Sequence, residues 1–591
     1  ADGARQLVEH GEVDYLVLDY LAEITLSILA RLRARDPAAG YATDFVDAVM
    51  RPLAATIAAR GIRVVTNAGG INPAALAARL RALAGELGVT LNVVAVCGDD
   101  LGAQVDTLRA ADVREMTTGG ALPDRLTSVN AYLGATPIAA ALAAGADVVV
   151  TGRCVDSALV LGPLMHAFGW AADDYDRLAA GSLAGHVIEC GTQCTGGLYT
   201  DWEDVPGWDD MGFPIAECRA DGSFTLTKPR GTGGLVTPAT VAEQVVYEIG
   251  DPARYLLPDV TCDFSDVTLV ADGPDRVTVR GARGLPPGPD YKVSATFADG
   301  YRATAMVMLG GRDAAPKARR VAAAILARTR RLLAAAGHAD YSEISVEVLG
   351  AEATYGPHAR AERAREVVLK LAVRHPERAA LEIFSREIFP AATAMAPGLT
   401  GFAGGRPAVQ PVVRLFSCMV PKTHVTVTLD SASGSAPLPL PAAPATLPPA
   451  VPAPAAATPP TLPAAAESIT VPLLRLARAR SGDKGDSANI GVLARQPHYL
   501  PWLRAQLTAE AVAAWFAHLA HGPVTRYEWP GLDGFNFVLE GALGGGGTAS
   551  LRHDPQGKAY AQMLLDLPLT VPAGLLGGAA ILPPTSAARR P

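Results

Sequence analysis

The sequence predicts an α/β protein: an open, mostly parallel sheet domain with an α+β subdomain, followed by a small C-terminal ferredoxin-like α+β module. Three observations predict it. Four short apolar runs, at residues 13–18, 62–66, 91–96 and 148–150, alternate with helical segments, a rhythm that implies right-handed crossovers and a parallel sheet covered on both faces. Each run ends in a polar cluster, and ligands of open parallel sheets bind outside the carboxyl ends of the strands. After a Pro/Ala-rich stretch, a compact segment begins at Ile469 with strand, Gly-rich loop, strand and helix, which fits a ferredoxin-like sandwich.

The elements follow in order. Residues 1–10 read as a helix with Ala4, Leu7 and Val8 on one face, and in a chain of alternating strands and helices a first strand is expected before it. Residues 22–35 and 41–60 read as helices, the second capped by Gly61, and 74–87 as a third, closed by Gly88. From residue 261 the texture changes to short β-rich runs at 267–270, 276–279 and 291–297. A helix at 315–336, an alternating strand at 343–349, a helix ending near Arg374 and another at 376–389 complete this subdomain. Residues 431–467 have the composition of a semi-rigid polyproline tether. The last module is expected to carry a helix at 503–519 and strands at 535–540 and 559–567. The expected divisions are therefore 1–260, 261–430, the linker 431–467, the module 468–575 and a flexible tail 576–591.

Composition narrows the function. With 49% apolar and 19% charged residues and a net charge of −8, the chain is globular and carries no basic stripe, so nucleic acid is not an expected partner. No uninterrupted apolar run is long enough for a membrane span. Seven scattered cysteines suit reduced thiols better than a disulfide framework, which makes the cytoplasm the expected compartment. A homo-oligomer is expected.

The polar clusters supply the chemistry. Asn67-Ala68-Gly69-Gly70-Ile71-Asn72-Pro73 joins a strand to a helix with Asn72 as cap and Pro73 at its first position. Its Gly69 and Gly70 amides form either a phosphate or carboxylate cradle or a plain tight turn. Neither the dinucleotide nor the P-loop glycine spacing is present, so no nicotinamide cofactor is expected. Asp99 and Asp100 directly follow a buried strand, and Asp19 and Glu23 lie four apart. Such oxygen-only carboxylates suit acid–base work or Mg²⁺, with helix caps and ion pairs as the structural alternative. Arg153 and Asp156 at the fourth strand end are either a clamp for an anion or a pair that pins the loop, and Asn130 lies nearby. Glu189-Cys190-Gly191-Thr192-Gln193-Cys194 reads as a substrate-contacting loop, with Gln193 facing the ligand, since the spacing lacks the ligands of a zinc site. His186 is in range of these cysteines in sequence. Lys228-Pro229-Arg230-Gly231-Thr232-Gly233-Gly234 is either a cationic closing loop, engaging Lys228 and Gly233, or a surface turn. Ser481-Gly482-Asp483-Lys484-Gly485-Asp486-Ser487 either exposes amides and offers Lys484 to an anion or is a plain hydrophilic loop between strands.

Together these segments, with Asp14-Tyr15-Leu16-Val17-Leu18-Asp19-Tyr20-Leu21-Ala22-Glu23, Gly98-Asp99-Asp100-Leu101 and Thr151-Gly152-Arg153-Cys154-Val155-Asp156, resemble the AtuA family, named for acyclic terpene utilisation. The segment 481–486 resembles the ferredoxin-like module that many members carry. The resemblance implies a place in the degradation of acyclic terpenes through CoA thioesters, and an N-terminal strand with a Gly-rich acidic segment ahead of Ala1. The expected function is a catabolic enzyme acting on a small carboxylate or acyl-CoA by lyase or hydratase chemistry next to a carbonyl. Asp99, Asp100, Asp19 and Glu23 would be the acid–base or Mg²⁺ residues, and Asn67, Gly69, Gly70, Asn72, Asn130, Arg153, Asp156, Gln193, Lys228, Gly233 and Lys484 the substrate contacts. The rival is a non-catalytic acyl-CoA-binding or scaffold subunit whose last module is a docking piece.

Overall fold

The computed structural model describes residues 2–441 and 467–576. Strands β1 (Tyr15–Leu18), β2 (Arg63–Thr66), β3 (Val93–Cys97) and β5 (Val148–Thr151) form a parallel sheet in the order β1-β2-β5-β3. Val64, Val65, Val148, Val149 and Val150 are completely buried, as expected of strands covered on both faces. Because all four run the same way, their polar carboxyl ends share one edge.

Helices α1 (Asp2–His10), α3 (Arg51–Arg60) and α4 (Pro73–Leu87) cover this sheet, whereas α2 (Glu23–Arg35) packs toward the second sheet. Gly61 and Gly88, both at φ +66°, cap α3 and α4 in the left-handed region. The single helix expected over 41–60 instead opens with a π-helical turn, Phe45–Met50. Pro52 explains this, because it has no N–H to continue the α pattern one turn back.

Later sequence completes this sheet. A hairpin, Thr428–Ser431 and Gly434–Pro437, adds antiparallel to the outer edge of β3, with Thr428 opposite Cys97. Residues 431–437 are therefore sheet and not tether, and the rest of the expected linker, 442–466, lies outside the described residues, as does the tail from 577. A second sheet is organised by the 21-residue strand Asp290–Gly310. Its first half pairs with β4 (Ser128–Ala131), and its second half with Glu366–His375. The regions 1–260 and 261–430 thus interlock by strand exchange.

Glu366–His375 corrects the helix expected up to Arg374. Its Leu, Lys and Ala content favours helix, but the β-branched Val367, Val368 and Val373 fit a central strand whose residues are largely buried.

The C-terminal module has an antiparallel sheet in the order Ala477–Lys484, Ser487–Ala494, Gly534–Leu539, Val524–Trp529. The helix expected over 503–519 is broken in two, Leu500–Gln506 and Ala509–Trp515, because Thr508 starts a new helix by accepting the Ala511 N–H at 3.1 Å. Residues 559–567 hold the short helix Tyr560–Leu564 in place of a strand, and the strand comes later, at Pro568–Pro572. The helix buries Tyr560, Ala561, Met563 and Leu564 against the module sheet.

The module is packed hard against the rest. Trp529 is completely buried among N-terminal core residues and donates its indole N–H to the Phe264 carbonyl at 2.9 Å. Asn536 donates to the carbonyls of Ile249 and Gly250, both at 2.6 Å, and Asn489 to Val246 at 2.9 Å. Gly491 is required here: a Cβ would lie 2.2 Å from the Val246 side chain. Among the described residues, no helix is long and apolar enough to cross a membrane.

Candidate active site

Just beyond β1, Asp19 Oδ1 accepts hydrogen bonds from Asn67 Nδ2 at 2.6 Å and the Leu21 N–H at 3.2 Å. Asn67 is completely buried at the end of β2, and its own Oδ1 accepts the Tyr20 N–H at 2.7 Å. Asn67 therefore clasps the β1 turn and orients Asp19. Arg153, at the end of β5, donates to the Leu21 carbonyl at 2.7 Å, pairs with Asp156 at 3.2 Å and stacks 4.2 Å over the Tyr132 ring. Asp19 is open to solvent but closely surrounded by protein, as in a narrow crevice. Burial raises its carboxyl above the usual value, the Asn67 hydrogen bond and Arg153 oppose that rise, and the charge of Glu189 adds to it.

Glu189 stands on a second wall, at the end of the helix Tyr175–Ile188. One of its oxygens lies 3.3 Å from His186 Nδ1. His186 Nε2 faces the carbonyls of Gln244 and Val245 at 3.1 and 3.2 Å, so Nε2 carries a proton. A neutral imidazole then presents a lone pair to Glu189. Contact at this distance requires one further proton, either on Glu189 or on Nδ1. Burial raises the Glu189 carboxyl, His186 opposes the rise, and the charge of Asp156 adds to it. Gln193 follows in the next loop, its Oε1 buried and without a hydrogen-bond partner among the described residues. The Tyr255 phenol is raised mainly by burial and feels both Lys484 and Glu189.

A third wall comes from the C-terminal module. Lys484 pairs with Glu248 at 3.0 Å and is felt electrostatically by Glu189. The structure thus brings Asp19, Asn67, Arg153, Asp156 and Lys484 into one electrostatic neighbourhood around Glu189. It adds Glu189, His186 and Tyr255, of which the sequence reading assigned no catalytic role to any. The signal was available in the spacing His186-x-x-Glu189, which puts both on one helix face.

Other expected residues lie elsewhere. Asp99 is only 2% exposed, and its Oδ2 accepts from Asn130 Nδ2 and the Arg153 N–H, both at 2.8 Å. A Cβ on Gly152 would fall 2.2 Å from this carboxylate. Asp99 is a buried pin between β3, β4 and β5, and Asn130 is its partner. Asp100 points outward, pairs with Arg33 at 2.9 Å and caps the Gly102 N–H. Adjacent residues of an extended chain face opposite ways, so this pair cannot converge on one ion. The carboxylates do not fit Mg²⁺ there, and among the described residues no group of three or more His, Cys, Asp or Glu side chains is arranged to hold a metal. Asp19 and Glu23 do not share a helix face, since α2 begins only at Glu23 and Ala22 is extended; the Glu23 side chain lies outside the described residues.

The glycine loop is a tight turn. The Gly70, Ile71 and Asn72 amides donate to the carbonyls of Asn67, Gly40 and Gly69, and Ala68 to Thr66 Oγ1, which leaves those four unable to cradle an anion. A Cβ on Gly69 would meet the Thr151 carbonyl at 2.4 Å, and Gly70 lies at φ +59°. Asn72 makes no cap hydrogen bond and ties the preceding turn through the Pro37 and Ala39 carbonyls. Lys228 is buried, donates to the Thr232 carbonyl and pairs with Asp275 at 3.2 Å. Gly233 is pressed 2.0 Å, measured from an ideal Cβ, against the Gly207 carbonyl. This loop is fastened down by these contacts.

The pin has a measurable signature. Burial raises Asp99 to about 6, outweighing its two hydrogen bonds. Because this lies above its unfolded value, ionisation of Asp99 opposes folding: the penalty is absent below about pH 4 and complete above about pH 6. In Asp99→Asn the fall in unfolding free energy between pH 4 and pH 8 is expected to shrink by on the order of 2 kcal/mol, measured by urea denaturation at the two pH values. An unchanged pH dependence would contradict this account of Asp99.

An α/β protein with an open parallel sheet, charged residues gathered at its strand ends and a ferredoxin-like module packed against it is the class defined here. The chain belongs to the acyclic terpene utilisation family AtuA, whose model matches residues 1–431. The AtuA ferredoxin-like domain matches residues 471–570. No curated protein and no solved structure matches the chain.

Proposed function

We propose that this chain is a catabolic enzyme of acyclic terpene utilisation that acts on a small carboxylate or acyl-CoA thioester by acid–base chemistry of the lyase or hydratase kind. The observation that carries the reading is the Glu189–His186 pair, which holds a proton on one wall of the crevice, while Asp19 stands within its electrostatic field on another. Two interacting carboxyls, both raised by burial, favour a state with one ionised and one protonated. Asn67 and Arg153 favour the anion at Asp19.

In the elimination direction, Asp19 takes the proton from the carbon next to the substrate carbonyl. The C–H electron pair becomes the new C=C bond as the β-hydroxyl leaves, and Glu189 gives that oxygen its proton, releasing water. The proton taken by Asp19 then passes to solvent, the Glu189–His186 pair regains one from solvent, and hydration is the same path reversed. General acid and base groups of this kind each contribute about 10²–10⁴-fold.

The test is to incubate the full chain in D₂O with short 2-enoic acids and their CoA thioesters and to follow α-carbon deuterium by NMR. Deuterium at that carbon in a product hydrated at the β-carbon is expected. No incorporation into any acid or thioester would overturn the reading.

A further inference from the structure

We infer that the C-terminal module completes the active site: Lys484, at the tip of its first hairpin, anchors the single carboxylate of a substrate, and Glu248 is the residue that positions it. The location rests on the acid–base reading of the crevice.

The hairpin is built for reach. Lys484 pairs with Ser487 as the last rung before the tip, and Gly485 turns the chain at φ +65°. Gly482 lets the hairpin press against the 247–248 turn, since a Cβ there would lie 2.6 Å from both the Glu248 side chain and the Tyr247 ring. Glu248 itself sits at φ +57°, a left-handed conformation unusual for a glutamate. Asn489 of the module fixes it by accepting the Glu248 N–H at 2.9 Å. Strained residues held by their surroundings concentrate at functional sites, and here the strain aims a carboxylate at Lys484.

Lys484 is not consumed by that contact. Its side chain is 52% exposed, and of the three ammonium donors one goes to Glu248, its hydrogen-bond partner among the described residues. The other donors are left for a ligand in a crevice where Glu189 and Tyr255 feel the lysine charge. Arg153, by contrast, is 4% exposed and engaged with Leu21, Asp156 and Tyr132. The charges of the walls choose the anion. Asp19, Asp156, Glu189 and Glu248 would repel the several phosphates of a nucleotide, whereas one compact carboxylate can be met by a lysine point charge.

The experiment titrates ¹³C-carboxyl hexanoate and, separately, free coenzyme A into the full chain by NMR. Hexanoate is expected to bind, with Kd at least about tenfold weaker in Lys484→Ala and partly restored in Lys484→Arg. In Lys558→Ala, which removes a lysine 3.6 Å from the same Glu248, it is expected to be unchanged; a salt bridge that merely docks the module would give the two alanine variants the same effect. Equal hexanoate affinity in wild type and Lys484→Ala overturns the inference, as does coenzyme A binding that depends on Lys484 while hexanoate binding does not. The α-deuterium assay is read independently. Lys484-dependent hexanoate binding without deuterium incorporation would sink the lyase reading alone, and incorporation with Lys484-independent binding would sink the anchor alone.

Discussion

Glu189→Gln is expected to lower turnover of the substrate found in D₂O by about 10²–10⁴-fold with little change in KM, because glutamine keeps the shape of the side chain and loses the transferable proton. The pH profile is the sharper readout. In the wild type, one carboxyl must be ionised and its neighbour protonated, so the rate should follow a bell whose two limbs belong to the coupled Asp19–Glu189 pair. Burial raises both carboxyls, so the acid limb should sit above the ordinary carboxylate range. Glutamine cannot lose a proton, so the basic limb, which belongs to ionisation of Glu189, should disappear, while the acid limb, where Glu189 is still protonated and uncharged, should stay in place. Asp19→Asn should cost a similar factor and abolish that limb. A variant with full activity and an unshifted profile would remove Glu189 from the mechanism.

Trp529→Ala is expected to produce the largest loss of stability, about 3–5 kcal/mol. The indole is completely buried, belongs to the N-terminal core cluster although it lies in the C-terminal module, and satisfies the Phe264 carbonyl. Its removal leaves a cavity where the two bodies meet and takes one of two hydrogen bonds from the Phe264 carbonyl, which keeps the Val267 N–H at 3.2 Å. Thermal unfolding should fall, and the single transition should split into two if the module retains its own core around Ile490, Phe535 and Phe537. A loss below about 1 kcal/mol would mean that the interface is held elsewhere.

The parallel sheet was legible because its strands are short valine-rich runs, each closed by a polar loop. The position of the crevice followed from those loops. What could not be read was which way each polar side chain turns. Asp99 and Asp100 are neighbours with opposite fates, because burial beneath Gly152 takes one and Arg33 takes the other. The glycines at 69 and 70 looked like an anion cradle, but their freedom is spent on close packing. Glu189 and His186 were visible only as a helical spacing, and their meeting depends on two carbonyls nearly sixty residues away. The strand Glu366–His375 was misread for a related reason, since its local composition favours helix and only its place between two neighbours makes it a strand.

The hairpin that lies beside β3 arrives about 330 residues after it in the chain. At a synthesis rate of roughly 5–20 residues per second, that edge emerges from the ribosome tens of seconds before its neighbour exists. For that interval an apolar, valine-rich strand presents unpaired amides and carbonyls to whatever else is being made nearby. The nascent chain therefore depends on a chaperone or on low local concentration at a stage the finished protein no longer shows, and shortening the wait by codon choice should raise its yield.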